Sequence, residues 1–185
     1  FIKRFDRYGK NKKYSVEDFA QLSGKIRDTK YSYSMEKVAA LLDKYCTFPA
    51  IEKAKLFKLT IFNYLIGNED MHLKNFSLIT KKKITTLSPH YDLLNTSIAV
   101  KTPKEEIALP IDGRKNKLTK KLIIDYFGKE ILGLNSTIIS QSLSTIYETT
   151  NKWMETISIS FLSEKMKQKY INLLKTRWKI IFASF

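Results

Sequence analysis

At 185 residues the chain fits one domain or a piece of a longer protein, and with 43% hydrophobic residues it can bury a sizeable core. Its one cysteine, Cys46, excludes a disulfide within the chain, and its two histidines, His72 and His90, are too few and too widely spaced for an ordinary zinc site. The net charge of +15 is spread over small groups at 10–13, 81–83, 114–121 and 165–169, which reads first as solvated lysine-rich faces and second as a surface drawn to anions.

Residues 1–7 alternate apolar and basic side chains and predict a strand, with the look of a charged edge. After a polar turn at 9–14, Ser15 followed by Asp18 suggests a helix cap, and Val16, Phe19 and Leu22 a helix ending at Gly24. A loop rich in Lys, Tyr and Ser leads to Ser34, the expected cap of a helix carrying Val38, Leu41, Leu42 and Tyr45 on one face. Cys46 follows as a buried small hydrophobe. Beyond Pro49 comes the strongest helical pattern, Ile51, Ala54, Phe57, Ile61, Tyr64 and Leu65, terminated by Gly67.

Residues 67–94 read as loop, strand, turn, strand, loop. The two strands are 76–80 and 83–87, both rich in apolar and β-branched residues, joined at Lys81 and Lys82. Such a hairpin brings its ends together, and with them Asp70, Asn75 and Asp92. An Asp with an Asn five residues later lets one loop present a base beside an oxygen ligand. A second Asp from the far strand completes a sparse set of hard oxygen donors, which suits Mg²⁺ when phosphates supply the rest.

The stretch 95–118 has little periodicity and contains Pro103 and Pro110. It offers the hydroxyls of Thr96, Ser97 and Thr102, and the cations Lys101, Lys104, Arg114 and Lys115. Three helices are expected after it. Thr119 caps one through Leu122, Ile123 and Tyr126, ending at Gly128. Ser136 starts one through Ile139, Leu143 and Ile146 towards Trp153. Ser163 caps the last, with Met166, Tyr170, Leu173 and Leu174 inward. Trp153 and Trp178 read as core contacts. No internal repeat is evident.

The string Gly67-Asn68-x-Asp70-x-His72-x-Lys74-Asn75-Phe76-Ser77, followed by Pro89-x-Tyr91-Asp92-Leu93-Leu94, resembles the HipA-like serine/threonine kinases of bacterial toxin–antitoxin systems. Arg4-Phe5-Asp6-Arg7 looks like that family's hinge, and residues 108–119 look like its segment after the metal loop, so the resemblance covers most of the chain. Against ordinary protein kinases there are two departures: Asn68–Glu69 stands where His-Arg would precede Asp70, and Leu93–Leu94 follows Asp92 in place of Phe-Gly. The fold implied is mainly α with a small β-hairpin, a kinase-like C-terminal lobe of the HipA type. Its hinge would be residues 1–7, its single domain 8–185, and its activation-loop-like segment 95–118. No Gly-rich phosphate loop and no strand lysine precede the hinge, so an N-terminal lobe is expected from elsewhere, in cis or in trans.

The resemblance implies ATP and Mg²⁺ as cofactors and a protein hydroxyl as acceptor. Asp70 would take the hydroxyl proton, His72 brace the loop, and Lys74 offset charge on the transferred phosphoryl group. Asn75 and Asp92 would hold the metal. The backbone of Lys3 and Phe5 would meet the adenine edge, and Asp6 the ribose. Family members act on proteins, aminoacyl-tRNA synthetases among them, and many are neutralised by a DNA-binding antitoxin; other relatives are secreted effectors. A cytoplasmic location is therefore the expectation, with secretion as the alternative. No signal peptide is seen and no apolar run is long enough for a membrane helix, so a membrane role is not expected. Three rivals remain at this stage. An aminoglycoside-type phosphotransferase would share the loop and metal Asp. A basic nucleic-acid-binding module would explain the charge, although no aromatic–basic motif supports it. A pseudokinase or inactive fragment would fit the missing lobe.

Overall fold

The structure is a computed structural model that describes residues 3–99 and 105–183. Phe1 and Ile2 of the expected hinge, and Lys101, Thr102, Pro103 and Lys104 of the long loop, lie outside the described residues.

Helix α3 (Pro49–Ile66) is the axis of the fold. Proline at the first turn loses no helical hydrogen bond there and presets φ. Apolar side chains then occupy more than one face, and Leu56, Phe57, Ile61, Tyr64 and Leu65 have no exposed surface. Each such burial contributes roughly 1.5–3 kcal/mol. Around α3 pack α2 (Met35–Tyr45), α4 (Ser136–Ser158) and α5 (Glu164–Phe182). One buried charge knits this centre to the sheet. Glu52, 1% exposed, accepts from Lys55 Nζ at 2.9 Å and from the Leu87 backbone N–H at 2.9 Å. A carboxylate out of water needs such partners to avoid a heavy desolvation cost.

The sheet has one strand more than the expected hairpin. β3 (Ser15–Asp18), β4 (Ser77–Lys81) and β5 (Ile84–Leu87) form an antiparallel sheet in that order, with Val16 opposite Ile79 and Ile79 opposite Thr86. The helix expected from Ser15 therefore begins only at Phe19. Its cap is Asp18, whose carboxylate accepts from Gln21 N at 2.9 Å, and α1 is the single turn Phe19–Leu22. Pairing with a strand sixty residues away supplies ladder bonds that a short local helix at 15–18 cannot match. The hairpin turn is shifted by one residue from the expected Lys81–Lys82. Lys82 and Lys83 carry it with φ of 49° and 65°, the left-handed pair whose twist suits adjoining strands.

Of the strand expected over residues 1–7, the described residues 3–7 show little. Residues 3–6 are irregular, and pairing starts at β1 (Arg7–Tyr8), which meets β2 (Lys12–Lys13). Arg4 binds Asp6 side chain to side chain at 2.7 Å, residues 5 and 6 form a turn, and Asp6 C=O accepts from Tyr14 N at 2.9 Å beside the β1–β2 pair.

In the C-terminal half, Gly128 does not end its helix. A π-type helix runs Lys121–Ile131, with Thr119 accepting from Leu122 N at 3.2 Å as the expected cap. Gly128 sits inside it because a Cβ there would lie 2.8 Å from the Phe57 ring on α3. The chain leaves the helix through Gly133 at φ +67°. α4 starts at Ser136 as expected, capped by Asn135, which accepts from Ile138 N at 2.9 Å, and Ser163 caps α5 as expected. Both tryptophans make core contacts. Trp153 meets Phe62 edge-on at 5.2 Å, and Trp178 lies against Tyr147 and Phe182. Cys46 is buried, and burial pushes its thiol up to about 12. Among the described residues no helix is long and apolar enough to cross a membrane.

Candidate active site

The C-terminal end of α3 delivers the site. Gly67 caps the helix at φ +80°, donating to Asn63 O and Tyr64 O. The chain then turns through Asn68–Asp70 and a 3₁₀ turn, Leu73–Asn75, into β4. Gly67 O in turn receives Thr96 N at 3.0 Å, Ser97 N at 3.1 Å and the hydroxyls of both residues, so the start of the long loop is tied to the start of this one.

Asp70, Asn75 and Asp92 come together as the hairpin geometry predicts. The Asn75 amide nitrogen donates to the Asp70 backbone carbonyl at 2.9 Å and to Asp92 Oδ2 at 2.8 Å. Its own carbonyl oxygen is thereby left for another partner. Asn68 fastens the same group from beneath. Its Nδ2 reaches Asn63 Oδ1 at 2.9 Å and Asp92 O at 3.2 Å, and its Oδ1 accepts from Asp70 N at 3.1 Å. Asp92 has φ +56°, a conformation that costs an L-residue energy and that Asp tolerates better than most. Asn75 is buried and Asp92 exposed, so an anion held at a fixed amide faces solvent.

The other expected residues divide. His72 is buried and its Nε2 lies 3.9 Å from Asp70 Oδ1, while its Nδ1 has no hydrogen-bond partner among the described residues. Burial and the nearby Lys30 ammonium hold His72 below its ordinary pKa, so at neutral pH it is uncharged. Lys74 is exposed; its backbone carbonyl accepts from Tyr91 OH at 2.8 Å, and no side-chain bond joins its ammonium to the trio among the described residues. Phe5 stacks on Tyr91 at 5.7 Å, which brings the expected hinge segment against the residue preceding Asp92. Asp6 is engaged by Arg4 and lies 3.4 Å from Arg7, so its carboxylate already has cationic partners; Lys3 is exposed.

Three participants carry no motif signal. Tyr31, from the loop before α2, donates its hydroxyl to Asp70 Oδ1 and meets His72 edge-on at 5.2 Å. Glu69 accepts from Ser97 and lies 3.8 Å from Arg177 of α5. Arg177, 5% exposed, also donates to Tyr64 O at 2.6 Å. Burial raises the Glu69 pKa, against the opposing pull of Ser97 and Arg177. Nothing local marks Tyr31 or Arg177, since their partners lie 39 and more than 100 residues away in sequence.

Three or more His, Cys, Asp or Glu side chains do not cluster as a metal cage among the described residues. The donors present, one carboxylate and one amide oxygen, fit the sparse protein share of a Mg²⁺ site completed by phosphate and water.

A family model described as HipA-like C-terminal domain matches residues 1–157. A protein of Sinorhizobium fredii named "Putative kinase Y4dM" is 36% identical over 140 residues, covering 67% of this chain and 34% of its own length. The chain thus spans about a third of that relative. In fold, the chain is similar to HipA of the Shewanella oneidensis toxin–antitoxin complex with HipB and operator DNA, at a TM-score of 0.81 and 22% identity over 98% of this chain and 48% of that one. It is similar also to the Helicobacter pylori proinflammatory kinase CtkA, at a TM-score of 0.62 and 18% identity over 92% of this chain and 66% of that one.

Proposed function

This chain belongs to the family of HipA-like C-terminal domains, and on that footing we propose that it is the catalytic lobe of a kinase that moves the γ-phosphoryl group of ATP to a Ser or Thr hydroxyl of a protein. The observation that carries the reading is the Asn75 amide nitrogen, bonded at once to the Asp70 carbonyl and the Asp92 carboxylate. That single side chain ties the backbone of the proposed base to the carboxylate of the proposed metal-binding acid.

In this reading Asp70 accepts the proton of the incoming hydroxyl. Its side chain is 38% exposed, open enough for a protein substrate to approach. Asp92 and Asn75 Oδ1 would hold Mg²⁺, which when bound would neutralise phosphate charge. Positioning matters more than base strength, because phosphoryl transfer passes through a loose transition state. His72, uncharged and buried, braces the turn. Lys74 supplies a mobile positive charge at the rim. Phe5, stacked on Tyr91, places the backbone of residues 3–5 for the adenine edge. Asp6 reaches a ribose only by exchanging partners with Arg4. An N-terminal lobe, in cis or in trans, is part of the proposal, as the chain spans 48% of the Shewanella HipA chain, and a DNA-binding partner of the HipB kind is proposed by analogy with that complex. A cytoplasmic location is part of the proposal, with a secreted effector as its alternative.

The test uses the full-length protein with Mg·ATP and labelled γ-phosphate. Asp70→Asn should lower transfer about a thousandfold while nucleotide titration stays within twofold of wild type. Asp92→Asn should instead weaken Mg-dependent ATP binding by about tenfold or more. Transfer retained by Asp70→Asn would remove the base from the scheme. Transfer to aminoglycosides but not to protein would favour a small-molecule enzyme.

A further inference from the structure

We propose that Tyr31 is a positioning residue for the phosphoryl-transfer site, its phenol fixing the Asp70 carboxylate so that one oxygen is held and the other faces the acceptor hydroxyl. The inference rests on the kinase reading above and deepens it.

Two contacts fix the Asp70 backbone: Asn68 Oδ1 accepts its N–H, and the Asn75 amide grips its C=O. Neither constrains χ1 or χ2. The carboxylate is left with Tyr31, which donates to Oδ1, and with His72 Nε2 at 3.9 Å, too far for a hydrogen bond. His72 is also held neutral by burial and by Lys30, so it exerts little pull on the acid. Tyr31 is thus the one described side chain that hydrogen-bonds the carboxylate. Because it takes Oδ1, Oδ2 is the oxygen available to a substrate hydroxyl.

The phenol is itself firmly placed. Its ring packs edge-on against buried His72, at 5.2 Å and 85°. Lys30 Nζ lies 4.9 Å and Lys115 Nζ 5.9 Å from the ring centroid, each a cation over a π face. The backbone follows suit: Leu73 N donates to Lys30 O at 3.3 Å, joining the Tyr31 loop to the catalytic turn. Burial and the Asp70 charge both push the phenol pKa upward, so Tyr31 remains a proton donor at any physiological pH. A fixed hydroxyl of this kind cannot take the proton from a substrate; it can only hold the group that does.

The experiment compares wild type, Tyr31→Phe and Tyr31→Ala as full-length proteins, following ADP release and labelled phosphate with dephosphorylated casein as acceptor. Phe keeps the ring on His72 and removes only the hydroxyl. The expected result is kcat lowered about ten- to a hundredfold in Tyr31→Phe, with KM for ATP and Mg·ATP affinity within twofold and melting temperature unchanged. Tyr31→Ala should be worse in both kcat and melting temperature. Equal kcat for wild type and Tyr31→Phe would overturn the role while leaving the kinase reading intact. A faster Tyr31→Phe with a lower KM for casein would overturn it too, by showing that the phenol obstructs the acceptor site. A wild-type protein that binds Mg·ATP yet releases no ADP and labels nothing would bring down the kinase reading and this assignment together.

Discussion

The Asn75 amide nitrogen serves two acceptors, one of them an exposed carboxylate 2.8 Å away, so replacing that nitrogen with oxygen has a calculable consequence. Asn75→Asp keeps an oxygen ligand but sets two carboxylates side by side and leaves the Asp70 carbonyl without its donor. Without divalent cation the variant should be less stable than wild type by about 1–3 kcal/mol. Mg²⁺ should restore more of the loss than it adds to wild type, because a cation between two anions relieves their repulsion. Urea unfolding with EDTA and with Mg²⁺ reads this directly, and a variant indifferent to Mg²⁺ would place the metal elsewhere. His72 gives a pH prediction at the same scale. Burial, then Lys30, hold its pKa in the fold below the value of the unfolded chain. Below about pH 6.5 the unfolded chain therefore binds more protons, and stability falls as pH drops through that value until the folded histidine also titrates. The drop in urea midpoint between about pH 8 and pH 5 should be smaller in His72→Gln than in wild type. Equal drops would mean that the imidazole is freely protonated in the fold.

Among the elements, the α3 C-terminus has the least freedom. Gly67 combines φ +80° with no room for a side chain, since a Cβ would meet Leu173 at 2.6 Å, Asn95 Oδ1 at 2.8 Å and Ser97 Oγ at 2.9 Å. Gly67→Ala should cost about 2–4 kcal/mol, read as a shift in urea midpoint, and should displace the whole turn that carries Asp70. A variant as stable as wild type would show that the three neighbours yield easily. This helix end and the hairpin after it were legible because their signals are local: a 3.6-residue apolar period, a glycine stop, then two short β-branched runs. Ser15–Asp18 was not, because its partner strand lies at Ser77–Thr80, and a four-residue segment has too little period to separate helix from strand. Gly128 misled for a related reason. A glycine in a helix reads as a stop, yet here it makes room for Phe57 of another helix. At the site, the acids and the amide were legible through spacing and resemblance. Tyr31 and Arg177 were not, since each reaches the site by a contact formed only after the chain folds back.

On the scale of the molecule, the family match ends at residue 157, within α4, whereas α5 begins at Glu164. By that boundary α5 would be an appendage; its packing says otherwise. Leu174, Ile181 and Phe182 are buried, Phe182 meets Tyr147 edge-on and Trp178 at a tilt, and Leu173 closes over Gly67. Arg177 crosses to the α3 terminus, where Tyr64 O, Glu106 O and the Glu69 carboxylate converge on its guanidinium. The helix thus lends one cation to a place where two backbone carbonyls and the acid beside Asp70 would otherwise converge with no positive charge among them. Losing such a partner alone costs about 3–5 kcal/mol, and the apolar surface uncovered adds to it. A typical domain has only about 5–15 kcal/mol to lose. A chain cut after residue 157 should therefore fail to show a cooperative melting transition, while Arg177→Met should fold with lowered stability because methionine fills the volume without the charge. Circular dichroism melts of the two decide the matter. A truncated chain that melts cooperatively near wild type would show that the family boundary is also a folding boundary, and that the link from α5 to the turn carrying Asp70 is dispensable.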